Sequence, residues 1–524
     1  METAWFGGIL YLFHVLGISS ATQPNIVFVV ADDVGWNDVG WHNAAIKTPV
    51  LNRLARQGVV LSHHYVLPMC SPSRAALLTG VYPYRMGIQA SPIGSSRPMG
   101  MPTRYPTIAN KLRDMGYTTH GTGKWHLGFC RNDYLPHNRG FDSFLGQWFG
   151  HVDHYTYKRG GAMDLHLNRD PFYPHNNTYS SELYAWRAEQ VIRQHHVTSP
   201  LFLYLPFFAC HHPLQVPSDY TSIYDNNSSK DKRRIFAGMM TSIDTAVGRV
   251  LQALTDRGMV NNTLLIFTSD NGGSRRKYGS NYPLRGGKYT LWEGGTRVPA
   301  FAWGSMINKT GYTNDMIMHA VDWFPTLVRV AEGTTGGNLD GSDFWDALRE
   351  GGSSPRRSLI YNIVGGQGAA IRDERYKLIL GKPGKIELQG YTKSYRRSDS
   401  RASQGRKRIL LTANDKWIGR KKTRKCTPRK CQALSRSRRS FRIMPNSGPL
   451  LFDLKDDPES ALNLMPLLPY HAELRAVYNR LYRDLQQERR QPCTLEATSS
   501  RGEKAEAKWC IQEWMVLGAE DNTQ

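Results

Sequence analysis

The chain has 524 residues, of which 40% are hydrophobic and 11% aromatic, and its formal net charge is +23. That composition supports real cores and excludes a disordered chain, and at ~150 residues per domain the length admits more than one domain. Beyond an N-terminal leader, no run reaches the ~18 apolar residues of a spanning helix, so no membrane-spanning helix is expected.

Taken in chain order, residues 1–21 read as a secretory signal peptide. Ala4 to Ile18 is nearly all apolar, and Ser19-Ser20-Ala21 offers small residues for cleavage, although Glu2 stands where a basic residue is usual. Asn25 to Ala31 is a short continuous apolar run, the pattern of a strand buried on both faces of a parallel sheet, and it ends in Asp32-Asp33. Cys70-Ser71-Pro72-Ser73-Arg74 comes next, with a Pro suited to a first helical turn and Gly80 able to stop the helix. Taken alone, it also fits a buried cysteine opening an ordinary helix. Pro106 to Gly116 fits a helix. Gly123-Lys124-Trp125-His126-Leu127-Gly128 puts Lys124 and His126 two apart on a tight, Gly-bounded segment. Leu201 to Ala209 is a second apolar run, leading to His211. Arg234 to Arg257 fits a helix, and Thr263 to Thr268 is a third strand-like run before Asp270-Asn271. Leu284-Arg285-Gly286-Gly287-Lys288 offers a lysine beside flexible glycines.

Strands alternating with helical stretches predict an α/β domain over residues 22–355, with a large, mostly parallel sheet sandwiched by helices. Sites in such sheets lie where strands end, and the polar residues above follow strand ends. After Pro355 the texture changes. Ser358–Ile363, Ala369–Arg372, Tyr376–Leu380 and Leu450–Leu454 read as short strands, and Tyr470–Arg489 as a patterned helix. Residues 356–524 are therefore expected to form a smaller C-terminal α+β domain. It contains a basic insertion, 393–442, with 19 Lys/Arg against two acids, which carries +17 of the net charge. Charge runs are usually solvated faces, and this one equally suits an anion-binding arm for polysulfated glycans or proteoglycans. Few aromatics interleave its basic residues, so nucleic acid is not the expected partner.

Five N-glycosylation sequons, at Asn176, Asn226, Asn227, Asn261 and Asn308, agree with a secreted chain. Besides Cys70 there are six cysteines, an even set that permits disulfides: Cys130, Cys210, Cys426, Cys431, Cys493 and Cys510. Cys426 with Cys431 and Cys493 with Cys510 are the local pairings to consider. Cys210, inside an apolar run, fits a buried thiol.

Three carboxylates from two distant strand ends would repel one another, and burying them unpaired is costly. A hard divalent cation, for which carboxylate and amide oxygens are natural ligands, resolves the conflict at Asp32, Asp33, Asp270 and Asn271. Any one Asp there is more often a turn or cap residue. Arg74, Lys124 and Lys288 are the donors that a multiply charged oxyanion needs, and the helix starting near Ser71 would point its positive end at the same place.

Together these runs resemble the sulfatase family. Four motifs carry the likeness in order: Ala31-Asp32-Asp33, Cys70 to Gly80, Gly116 through His126, and Ser269-Asp270-Asn271-Gly272-Gly273. The segments Ala209 to Pro217 and Pro283 to Gly295 bring it nearest to arylsulfatase B and its near relatives, among them N-acetylgalactosamine-4-sulfatases. The resemblance implies an alkaline-phosphatase-like fold and a sulfuric ester hydrolase acting on sulfated glycans, in the lysosome or outside the cell. It implies that a formylglycine-generating enzyme converts Cys70 to formylglycine, whose hydrate is the nucleophile. Asp32, Asp33, Asp270, Asn271 and the modified Cys70 would bind Ca²⁺. Arg74, Lys124 and Lys288 would hold sulfate oxygens, His126 would deprotonate the hydrate, and His211 would lie near the ester oxygen and serve the leaving group. His212 stands where arylsulfatase B has an acidic residue, and the basic insertion lies outside the shared core. Two other classes remain: a phosphohydrolase of the alkaline-phosphatase group, whose nucleophile is normally Ser or Thr, and a catalytically silent glycan-binding protein.

Overall fold

The computed structural model describes residues 23–94, 97–174, 177–224, 231–337, 339–364, 368–384, 449–457 and 463–490. The leader, the basic stretch 393–442, Asn176, Asn226, Asn227, Cys426, Cys431, Cys493 and Cys510 lie outside the described residues.

The strands are β1 (Asn25–Ala31), β2 (Val59–Tyr65), β3 (Thr118–Lys124), β4 (Ser143–Gln147), β5 (Lys158–Arg159), β6 (Ala162–Met163), β7 (His166–Leu167) and β8 (Asp170–Pro171). They continue with β9 (Leu201–Pro206), β10 (Thr263–Ser269), β11 (Ala300–Trp303), β12 (Tyr312–His319), β13 (Ser358–Val364), β14 (Gly368–Asp373), β15 (Tyr376–Gly381) and β16 (Leu450–Asp453). Ten of them form one sheet in the order β12-β2-β11-β10-β1-β9-β3-β4-β7-β8. Its centre, β10-β1-β9-β3-β4, is parallel throughout.

All seven residues of β1 are buried. Successive side chains of a strand face opposite sides. Ile26, Phe28 and Val30 accordingly enter one core, with Ala75 to Leu78 of the Cys70–Thr79 helix and with Trp323, Phe324 and Leu327. Val27, Val29 and Ala31 enter the other, with Leu183 and Ala188 of the Ser180–Gln194 helix and Met239 and Ile243 of the Asp231–Asp256 helix. The sheet is thus covered on both faces, as the uninterrupted apolar runs predict. The parallel register pairs Ala31 with Ser269, so Asp32 and Asp270 leave the sheet level with each other.

The C-terminal strands form a separate four-stranded antiparallel sheet, β13-β14-β15-β16. Leu481 and Leu485 of the Ala472–Arg490 helix are buried in the same core as Ile360 and Ile371 of this sheet. A second contact is polar at its centre. Tyr65 Oη donates to Glu293 at 2.8 Å, and Lys377 Nζ of β15 donates to the same carboxylate at 2.8 Å, with all three residues buried. Burial would raise the Glu293 carboxyl, but Lys377, Arg372 and Arg297 outweigh it and hold it down at about 2. A depressed carboxyl stabilises the fold above its unfolded value and loses that contribution as pH falls toward its folded one. Glu293→Gln is therefore expected to leave Lys377 buried without its counter-charge, to cost about 3–5 kcal/mol at neutral pH, and to remove part of the acid sensitivity below about pH 4.5. Denaturant titrations of the two proteins at pH 7 and at pH 4 measure both effects. An equal loss at both pH values would refute the charge pairing.

Candidate active site

Four strand ends, a loop and one helix bring the sequence-selected residues to one side of the sheet. Asp32 and Asp33 follow β1, and Asp270 and Asn271 follow β10. His211 lies beyond β9, and Lys288 sits in the loop after Tyr282. Lys124 is the last residue of β3, a strand that lies between β4 and β9, and it pairs with Gln147 of β4. His126, two residues on, has φ 59° and Asp33 has φ 60°, a left-handed conformation that L residues seldom adopt.

Cys70 is the first residue of a ten-residue helix that is buried along its whole length and stops at Gly80, with φ 70°. No side chain caps its N-terminus, so free amide hydrogens and the positive end of the helix dipole lie at Cys70. Arg74, one turn on, faces the same way. Its Nε donates to Asp270 Oδ2 at 3.0 Å, its Nη2 lies 2.8 Å from that oxygen, and its Nη1 donates to the Lys124 carbonyl at 3.0 Å. Lys124 Nζ donates to Asp32 Oδ2 at 2.5 Å. Lys288 Nζ and Asn271 Nδ2 both donate to Asp33 Oδ1. Three buried carboxylates thus face three buried cations.

The donor set fits a hard cation. One oxygen from each of Asp32 and Asp33, Cys70 Sγ and one His211 nitrogen lie within 4.8 Å of one another. Asn271 Oδ1 is buried and has no hydrogen-bond partner. Asp270 stands further back, because Arg74 engages its Oδ2 and its Oδ1 accepts from the Asp33 amide at 3.3 Å.

The Cys70 thiol lies 3.7 Å from Asp32 Oδ1. Burial, reinforced by Asp270 and Asp32 and opposed by Lys124 and Lys288, pushes it up to about 12. As cysteine it is a protonated, unactivated side chain, unlike a catalytic thiolate. His126 Nε2 bonds the Ile93 carbonyl at 3.1 Å, which leaves Nδ1 as the acceptor, buried and unpartnered. His211 Nδ1 bonds the His212 carbonyl at 2.8 Å, and its Nε2 lies 4.0 Å from Asp33 Oδ2. Burial, then the charge of Lys124 on His126 and of Lys288 on His211, holds both imidazoles well below the ordinary histidine range. Each is thereby favoured in its neutral form, and in His126 the unpartnered Nδ1 is the acceptor.

Sequence reasoning missed His151. Its ring lies 5.6 Å from that of His211 and 4.9 Å from that of His212, making a cluster of three imidazoles. Nothing in the spacing around Gly150-His151 announces this. Tyr289, beside Lys288, was also passed over. Cys210 is a buried thiol, as its apolar run suggests. The described sequon residues Asn261 and Asn308 are exposed. No described helix is long and apolar enough to cross a membrane.

A family model described as Sulfatase matches residues 24–334. The chain is 39% identical over 395 residues to arylsulfatase J of Mus musculus, covering 70% of this chain and 66% of that relative. It is 32% identical over 378 residues to N-acetylgalactosamine-6-sulfatase of Sus scrofa, covering 66% of this chain and 70% of that relative. Among solved structures it is similar to Ps i-CgsB in complex with k-i-k-neocarrahexaose, with a TM-score of 0.72 and 24% identity, covering 94% of this chain and 100% of that one.

Proposed function

The chain belongs to the sulfatase family and is a sulfuric ester hydrolase of the arylsulfatase type, and on that premise we propose that it removes sulfate from sulfated glycans at Cys70. The observation that carries the proposal is the convergence on Cys70 of three buried cations, two buried imidazoles and a set of hard oxygen ligands. An anion seated there would be met by Arg74, Lys124 and Lys288, which suits the oxygens of a sulfate group. Converted to formylglycine by a formylglycine-generating enzyme, Cys70 would supply an aldehyde hydrate, with one hydroxyl to attack sulfur and a second to allow its release. Asp32, Asp33, Asp270 and Asn271, with the modified Cys70, would hold Ca²⁺, which would favour ionisation of a hydroxyl. His126 Nδ1 takes up a proton from the nucleophile. Lys288, kept protonated by Asp33, is the group that gives a proton to the leaving oxygen, and His211, whose ring proton faces the His212 carbonyl, lies beside it as an acceptor.

The substrate reading is an N-acetylgalactosamine sulfate, with the 4-sulfate as the closer reading from the segments around His211 and Lys288. A relative named for the 6-sulfate and a fold neighbour bound to a carrageenan oligosaccharide support a sulfated sugar. The basic stretch 393–442 is proposed to hold polyanionic glycan or proteoglycan. In support, the Leu291 amide donates to the Pro383 carbonyl at 2.8 Å, so the chain leading toward that stretch passes beside the Lys288 loop. The change at residue 355 from a sandwiched sheet to antiparallel strands supports a catalytic domain over 22–355 and a smaller domain over 356–524. The leader and the five sequons, Asn176, Asn226, Asn227, Asn261 and Asn308, support a glycoprotein of the secretory pathway, lysosomal or extracellular.

The test uses full-length protein made through the secretory pathway. Mass spectrometry of the peptide spanning position 70 is expected to show loss of sulfur, and sulfate esters on defined disaccharides are expected to turn over faster than matched phosphates. A thiol retained in active protein, or a preference for phosphate, would overturn the reading.

A further inference from the structure

Tyr289 is 58% exposed, while its neighbours Lys288, Thr290 and Leu291 are buried. Its φ is 70°, a conformation that a bulky L residue adopts rarely and that marks functional positions. Its backbone is nonetheless fixed, because its amide donates to the Pro68 carbonyl at 2.8 Å, two residues before Cys70. The ring centroid lies 5.4 Å from Lys288 Nζ, the same ammonium that faces Asp33 in the site. A large apolar ring is thus held at the edge of the anion site and turned to water, where burial elsewhere would be favourable.

We propose that Tyr289 is the stacking platform for the pyranose ring that carries the sulfate. The faces of a pyranose present weakly positive C–H groups, which complement the negative face of an aromatic ring. The site also has imidazoles beyond the sulfate donors: the half-buried His151 and His212 stack beside His211 and offer ring nitrogens to sugar hydroxyls. Lys288 joins the two functions, since one residue grips the sulfate and the next supports the ring. This inference rests on the sulfate-ester reading and assigns one side chain to the sugar ring of that substrate.

Binding and turnover separate the two claims. In full-length protein carrying Cys70→Ala, dissociation constants for a sulfated N-acetylgalactosamine disaccharide and for inorganic sulfate are measured by calorimetry. Tyr289→Ala and Tyr289→Leu are expected to weaken the disaccharide about tenfold, a loss of about 1.4 kcal/mol, and to leave inorganic sulfate unchanged. Tyr289→Phe and Tyr289→Trp are expected to retain disaccharide binding. Unchanged disaccharide binding in Tyr289→Ala, equal weakening of both ligands, or no disaccharide binding by the parent protein each overturns the platform. Turnover by the unsubstituted chain is assayed separately, so that its absence counts against the sulfatase reading and not against the platform.

Discussion

Cys70→Ser is expected to release alcohol product at most once per active site and then to stall. Steady-state turnover should fall by more than about a thousandfold, the scale on which removal of a nucleophile is felt. A serine hydroxyl set at the start of the same helix, against Asp32 and among Lys124, Lys288 and Arg74, has the cations needed for one attack on sulfur. It offers no second hydroxyl on the same carbon, so sulfate stays attached. Cys70→Ala should show neither burst nor turnover. Both substitutions remove or exchange one atom in a buried helix, so melting temperatures should stay near that of the parent. Rapid-quench measurement of released alcohol, with the mass of the peptide spanning position 70, checks the contrast. Sustained turnover by the serine variant would remove the reason for an oxidised cysteine.

Arg74→Ala is expected to cost stability as well as activity. Arg74 is fully buried, donates hydrogen bonds from Nε to Asp270 and from Nη1 to the Lys124 carbonyl, and sets Nη2 in an ion pair with Asp270. Removing it strands Asp270, whose carboxyl burial and Asp32 already push upward, without its nearest cation. Breaking one side of a buried pair costs about 3–5 kcal/mol. Arg74→Lys restores a charge but not the fork, so it should recover most of the stability while kcat/KM stays lower by about a hundredfold, as for loss of a transition-state donor. Urea unfolding and sulfate-ester kinetics on the three proteins decide it. Full activity in the lysine variant would show that Arg74 acts only as a structural counter-ion.

The central strands were legible because burial on both faces leaves no polar alternation. The expected runs at Asn25, Leu201 and Thr263 begin at the observed first residues of β1, β9 and β10. The expected helix from Pro106 is found at Ile108–Asp114, where Thr107 and Asn110 form a reciprocal cap. The edges of the C-terminal strands likewise fall within a residue or two of expectation. By contrast β3, Thr-Thr-His-Gly-Thr-Gly-Lys, contains no large apolar residue and carries no strand pattern of its own. Its strand form comes from neighbours on both sides and from packing that demands small residues. A Cβ on Gly121 would sit 2.6 Å from the Phe144 ring. Such context is absent from local sequence, as is the non-sequential strand order. At the site the residue types were legible because acids at strand ends, a basic turn and a Cys-x-Pro-x-Arg run carry chemistry in their identity. Their pairings were not, since the fork of Arg74 on Asp270 and the bond from His126 to the Ile93 carbonyl depend on segments far apart in the chain.

The burial of the Cys70–Thr79 helix from end to end has a consequence for timing. An enzyme that must grasp an extended stretch around Cys70 finds nothing to hold once the central strands have closed over it. Residue 70 leaves the ribosome long before β10, the strand that brings Asp270 to Arg74, has been synthesised. On the reading that position 70 is oxidised, that oxidation would have to come before the central strands close over the helix, while the chain is still being made.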